Sequence, residues 1–203
     1  MWDKIIAYDL ETTGYSVKKH EILEIGAVVY YPLSEYTETF SVLIGVKNVP
    51  EEITHITGIT QGEVDAHGVP LLQALKDFNK FVYQDSAKPL FVGHDLIRFD
   101  NAFMNRDLIT RGLPRILERD SFDTLLQTRA DLLKLTGRSF KKRQADAKKR
   151  RPKEKTNLAA ACDIYKVKVN GSFHRAATDA DASLRIALKQ IKRNKFNVLN
   201  LVS

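Results

Sequence analysis

Lys4-Ile5-Ile6-Ala7-Tyr8-Asp9, followed at once by Leu10-Glu11-Thr12-Thr13-Gly14, carries the chain from an apolar, β-branched run into paired carboxylates and a glycine. The run reads as a strand from Lys4 to Asp9, and Gly14 marks the turn beyond it. Side chains alternate along an extended chain, so Asp9 and Glu11 point to one side and Leu10 to the other. Two carboxylates on one side of a strand end can hold a hard dication through oxygen ligands, although acids in such places mostly face water.

Ile22 to Tyr31 and Tyr36 to Ile44 share the β-branched and aromatic character, with Pro32 and Ser34 between them. Three early antiparallel strands are predicted. From Pro70 the period changes, and Leu71, Leu75, Phe78 and Val82 form one stripe of a helix with a proline at its first turn. Pro89 to His94 reads as a short buried central strand, and a helix from about Asp100 to Thr110 ends at Gly112 and Pro114. Asp120 to Leu125 predicts one more short strand, running into a helix to Leu135. Leu158, Ala161, Cys162 and Tyr165 recur at helical spacing, and a last helix from about Ala176 to Ile191 turns Ala180, Leu184 and Ala187 inward. The order predicts an α/β fold, with a mixed sheet of about five strands flanked by helices.

The chain has 203 residues, 43% of them apolar and 28% charged, which suits one domain with a core and excludes wholesale disorder. That domain is expected over residues 1–193, with a tail at 194–203. Phe196, Val198, Leu199, Leu201 and Val202 in the tail either pack back on the domain or dock a polymerase or second subunit. Cys162 is the only cysteine, so no internal disulfide and no multi-cysteine metal site can form. No apolar run reaches the roughly 18–20 residues of a membrane span, and no leader is legible before the first strand. A soluble cytoplasmic protein without a membrane partner is expected.

The charge is uneven. Residues 137–155 (GRSFKKRQADAKKRRPKEK) hold ten Lys or Arg against Asp146 and Glu154, while the whole chain carries only +7. Lys141, Lys142, Arg143, Lys148, Lys149, Arg150 and Arg151 therefore form a basic insert on a nearly neutral domain. Such a segment attracts a polyanion by counterion release, or it is a solvated loop; nucleic-acid contact is the favoured reading.

Two further acidic elements follow. Phe99-Asp100 lies just past the buried run, with Asp95 nearby, and as the first residue of a helix Asp100 also suits the dipole. Gly171-Ser172-Phe173-His174-Arg175-Ala176-Ala177-Thr178-Asp179 places a histidine five residues before an acid. That spacing puts the two on different helical faces, so His174 is read on a loop and Asp179 on the helix.

Taken together, Asp-x-Glu-Thr-Thr-Gly, Phe-Asp and His-x4-Asp in this order resemble the DEDDh family of 3′→5′ exonucleases, which has a ribonuclease H-like fold. The resemblance spans residues 4 to about 190 and includes His55-Ile56-Thr57-Gly58-Ile59-Thr60. It implies metal-binding acids at Asp9, Glu11, Asp100 and Asp179, a catalytic His174, and two divalent ions, Mg²⁺ or Mn²⁺. It also implies that Leu10, Thr12, Thr13, Ile56, Gly58 and Ile59 bind the terminal nucleotide. A histidine general base is neutral near pH 7 and above, so activity should fall in acid. The substrate is expected to be a single-stranded 3′ end, with DNA favoured over RNA, and the product a nucleoside 5′-monophosphate. A DNA polymerase or another replication or repair protein is the implied partner. An exoribonuclease trimming RNA ends is the alternative within the class, and a non-catalytic basic nucleic-acid-binding subunit is the alternative outside it. The chain departs from the family in two places: His94-Asp95 stands where His-Asn is usual, and the basic insert exceeds the minimal domain.

Overall fold

The computed structural model describes residues 1–137 and 139–198. β1 (Lys4–Thr12) lies at the centre of a five-stranded sheet of order β3-β2-β1-β4-β5. β2 (Ile22–Tyr31) and β3 (Tyr36–Leu43) run antiparallel on one side, while β4 (Pro89–Gly93) and β5 (Ser121–Asp123) run parallel on the other. The apolar character of β1 follows from burial on both faces. Ile6, Tyr8 and Leu10 join a core with Phe78 of α3 (Leu71–Val82), and Ile5 and Ala7 join another with Ala180 and Leu184 of α8 (Ala176–Asn194).

Two features of the sheet place the site, the first being a β1 longer than the sequence predicts. β1 continues past Asp9 to Thr12, with a bulge between Glu11 and Thr12, so both acids sit within the paired strand. β4, in contrast, pairs only with Lys4 to Ala7. The last part of β1 therefore projects beyond its parallel neighbour and exposes an edge there.

α1 (Glu51–Thr57), α2 (Gln61–His67) and α6 (Phe140–Ala147) were not legible as helices. The first two are about two turns long, too short to show a period, although Thr60 and Glu63 form a capping box. In α6 the charge hides the pattern: Phe140, Arg143, Gln144 and Ala147 form a buried stripe, and Ser139 caps the helix. The basic insert is thus partly a packed helix and not wholly a solvated loop. α4 (Asp100–Thr110) begins and ends as predicted, and α7 (Leu158–Tyr165) matches its spacing. α5 (Thr124–Leu132) starts earlier than expected because Asp123 caps it, accepting from the N–H groups of Leu125 and Leu126 at 3.0 and 3.1 Å.

Arg143 requires a correction. It is buried, its guanidinium meets Asp131 at 2.6 Å and also Asn194, and Tyr165 donates to Asp131 at 2.7 Å. Its charge is spent tying α5, α6, α7 and α8 together, so it leaves the exposed basic face. Phe196 and Val198 of the tail pack with Trp2, Phe122 and Phe140, and the Trp2 N–H donates to the Val198 carbonyl at 3.1 Å. Arg138, Leu199, Leu201 and Val202 lie outside the described residues. Among the described residues, no helix is long and apolar enough to cross a membrane.

Candidate active site

Asp9 and Glu11 stand opposite Gly26 and Glu24 in the β1–β2 register. Asp100, the first residue of α4, reaches the projecting edge of β1, where its Oδ1 accepts the Leu10 N–H at 3.1 Å. The backbone group left open by the early end of β4 is thereby satisfied by a side chain that the site also needs. Below it, Tyr8 donates to Asn101 Oδ1, which anchors the start of α4 to the core.

Asp179 arrives on the first turn of α8, and a glycine sets how close that turn can come. A Cβ at Gly26 would lie 2.0 Å from the Ala177 nitrogen, so only glycine lets the helix rest on β2 opposite Asp9. The same turn is held by Glu24, whose buried carboxylate accepts the Ala176 N–H at 2.9 Å and pairs with Arg175 at 3.0 Å. This acid complements the positive end of the helix dipole. Neither Gly26 nor Glu24 was read as part of the site, although a glycine within an otherwise apolar strand is a recognisable sign of close backbone approach.

His174 precedes α8 on a loop, exposed, with a left-handed φ of 65°. Its backbone N–H donates to Asp179 Oδ2 at 3.1 Å. Among the described residues, Glu11, His174 and Asp179 bring potential ligand atoms within 4.8 Å of one another. Asp9 and Asp100 join the group electrostatically. Burial raises the Asp9 carboxyl well above its usual range, and Asp100, Glu11 and Asp179 raise it further. Asp100 is likewise raised well above its range by burial, against the pull of the N–H bonds it accepts. Glu11 is pushed up to about 8 by burial and by the charges of Asp179 and Glu24. Asp179 rises to about 6 through burial, offset by the His174 N–H.

This crowding tests whether a dication fits. Four carboxylates converge at a cost to one another, and the buried Asp179 Oδ1 has no hydrogen-bond partner. Hard oxygen donors in excess of their protein partners suit Mg²⁺ or Mn²⁺.

Beside the acids opens a pocket of about 180 Å³ lined by Leu10, Glu11, Thr12, Ile56, Phe99 and His174, among others. Thr13, Gly58 and Ile59, also expected at the terminal nucleotide, adjoin this pocket in the chain but do not line it. Thr13 is committed to the turn, where it exchanges two bonds with Glu21 at 2.9 and 3.0 Å. Gly58 closes α1 in a left-handed conformation, and Ile59 is fully buried in the core.

Behind the site, Asp95 occupies the left-handed region at φ 67°, which asparagine and aspartate both tolerate. Its N–H donates to Asp123 at 3.3 Å, and its carboxylate pairs with Arg98. His94 is driven down to about 4, mainly by burial, so it is neutral. Its Nε2–H donates to the Thr156 carbonyl at 2.8 Å, tying the end of the basic insert to β4.

A mixed five-stranded sheet of this order, flanked by helices, is a ribonuclease H-like fold, with acids gathered at the projecting end of its central strand. The exonuclease family model matches residues 6–187, and the chain belongs to that family, in its DEDDh branch. It is 34% identical over 125 residues to a PolC-type DNA polymerase III of Clostridium perfringens, covering 61% of this chain and 8% of the polymerase. It is 30% identical over 194 residues to a PolC-type DNA polymerase III of Ureaplasma parvum, covering 95% of this chain and 12% of the polymerase. The chain thus spans about a tenth of the length of these curated relatives. Escherichia coli exonuclease I bound to a dT13 oligonucleotide shares the fold, with a TM-score of 0.71 at 17% identity over 95% of this chain and 42% of that one.

Proposed function

We propose that the chain is a 3′→5′ exonuclease of the proofreading or repair type that releases nucleoside 5′-monophosphates from single-stranded DNA ends. The convergence of Asp9, Glu11, Asp100 and Asp179, with His174 at the mouth, carries this reading. The four acids would hold two divalent ions, Mg²⁺ or Mn²⁺, which when bound supply positive charge for the phosphate and for the leaving oxygen.

The chain's own residues do the rest. Leu10, Thr12, Ile56 and Phe99 seat the terminal nucleoside in the pocket beside Glu11. His174 takes the proton of the attacking water as its oxygen bonds to phosphorus. The bond from phosphorus to the 3′-oxygen of the preceding nucleotide breaks, that oxygen takes up a proton, and the terminal nucleotide leaves with its 5′-phosphate. Asp179 keeps His174 at the mouth through the backbone bond. The exposed Lys141, Lys142, Lys148, Lys149, Arg150 and Arg151 add attraction for the polyanion. The polymerase relatives favour DNA as substrate and a DNA polymerase or another replication or repair protein as partner.

Digestion of matched DNA and RNA oligonucleotides with Mg²⁺, resolved to single nucleotides, tests the reading. DNA should shorten from its 3′ end, and Asp9→Ala should abolish the reaction while strand binding persists. Activity surviving in a clean Asp9→Ala preparation refutes the mechanism, and shortening of RNA alone reverses the substrate assignment.

A further inference from the structure

We propose that a second, basic cavity, between the β4–α4 loop, the start of α5 and the segment after α6, holds backbone phosphates of the substrate strand upstream of the scissile bond. The cavity measures about 570 Å³, and its polar lining comprises Asp95, Arg98, Asp123, Arg129, Lys148 and Arg151. Most of these charges are already matched. Arg98 pairs with Asp95, and Lys148 with Glu118. Asp123 is spent on the N–H groups of Asp95, Ile97, Leu125 and Leu126, at 3.0 to 3.3 Å.

Arg129 and Arg151 remain. Neither makes an ion pair or a side-chain hydrogen bond among the described residues, and Arg129 Nε is buried without a partner. A buried donor left unpaired is costly, and a guanidinium fork matches phosphate oxygens. The occupant this chemistry fits is therefore a phosphodiester.

The chain connects this cavity to the acids through three consecutive residues. Arg98 lines the cavity, Asp100 belongs to the acidic cluster, and Phe99 between them lines the nucleoside pocket. A strand with its last nucleoside against Phe99 and its scissile phosphate at the acids can lay its next phosphates on the Arg98 side. The basic side chains of α6 are differently engaged: Lys141 lies over the Trp2 ring at 5.3 Å, Lys142 pairs with Asp146 at 3.4 Å, and Arg143 pairs with Asp131. This placement rests on the exonuclease reading above.

The test uses the full chain, a double variant Arg129→Gln/Arg151→Gln, and the exposed single variant Arg151→Glu, which keeps the test open if the double variant fails to fold. Binding of a fluorescent oligothymidylate of about a dozen nucleotides, and of a dinucleotide, is titrated between about 50 and 200 mM salt. The double variant should bind the longer strand about tenfold more weakly at the lower salt, with a smaller loss for the dinucleotide and a salt slope shallower by about one. Arg151→Glu should shift both in the same direction. Unchanged affinity and slope overturn the cavity, even if the wild type digests DNA normally. If the arginines govern binding but the wild type digests no strand, the cavity stands and the exonuclease reading falls.

Discussion

The His174 N–H donates to Asp179 Oδ2 at 3.1 Å, so the loop residue at the mouth of the site takes its place from a residue fixed on α8. The bond also supports a backbone that a non-glycine residue adopts only at some cost, φ 65° at His174. Asp179→Asn preserves an oxygen for this bond and removes the charge; Asp179→Ala removes both. Both variants should lose at least about a hundredfold in hydrolysis. Both remove the same charge, so the alanine variant should be less stable than the asparagine variant by about 1 kcal/mol in urea denaturation, the worth of the lost bond. Near-normal turnover by Asp179→Asn would exclude a need for the carboxylate.

The raised acids make metal-free stability fall with pH. Glu11 at about 8 and Asp179 at about 6 hold protons more tightly in the folded chain than in the unfolded chain, where carboxyls titrate near about 4. Their contribution is complete below about pH 4 and is lost as pH rises through 6 toward 8. Asp9 and Asp100 act in the same sense. A divalent ion binds the ionised acids and releases their protons. Millimolar MgCl₂ should therefore raise the melting temperature more at about pH 8 than at about pH 5. An equal rise at both would contradict metal uptake by these acids.

Gly26 sets the distance between α8 and β2. The clash at Gly26→Ala is with backbone, 2.0 Å from the Ala177 nitrogen, so no side chain can move aside. The substitution should cost about 1–3 kcal/mol or more, and displacement of Asp179 should lower activity about a hundredfold. Gly45→Ala meets its neighbours at an ordinary 3.6 Å and serves as the control for calorimetry and assay.

Arg143 separates a structural from a binding role for the basic insert. Arg143→Ala leaves Asp131 buried without its ion-pair partner and should destabilise by about 3–5 kcal/mol. Lys149→Ala/Arg150→Ala removes exposed charge only, and should leave the melting curve in place while flattening the salt dependence of strand binding. A flattened melting transition in the second variant and none in the first would reverse the assignment.

Asp95→Asn restores the usual residue of the family motif. Asparagine also tolerates the left-handed backbone, so stability should stay within about 0.5 kcal/mol, whereas Asp95→Ala should lose about 1 kcal/mol. Chemical denaturation of the two variants checks this.

The strands, the longer helices and the motifs that carry Asp9, Glu11, Asp100, His174 and Asp179 were legible because each is a local pattern: apolar alternation, a helical stripe, or an acid at a fixed offset. α6 was hidden because its buried stripe includes Arg143 and Gln144, polar residues whose burial depends on partners in α5 and α8. Amino-acid order alone was enough for the five strands, the longer helices and the acids they present, but not for α1, α2 and α6. Tertiary packing decided that Gly26 admits the first turn of α8, that Glu24 caps it, that Ile59 belongs to the core, and that Arg129 faces a cavity with Arg151. The physical reason is that burial, close approach and ion pairing are properties of residues distant in sequence, and they exist only once the chain has closed on itself.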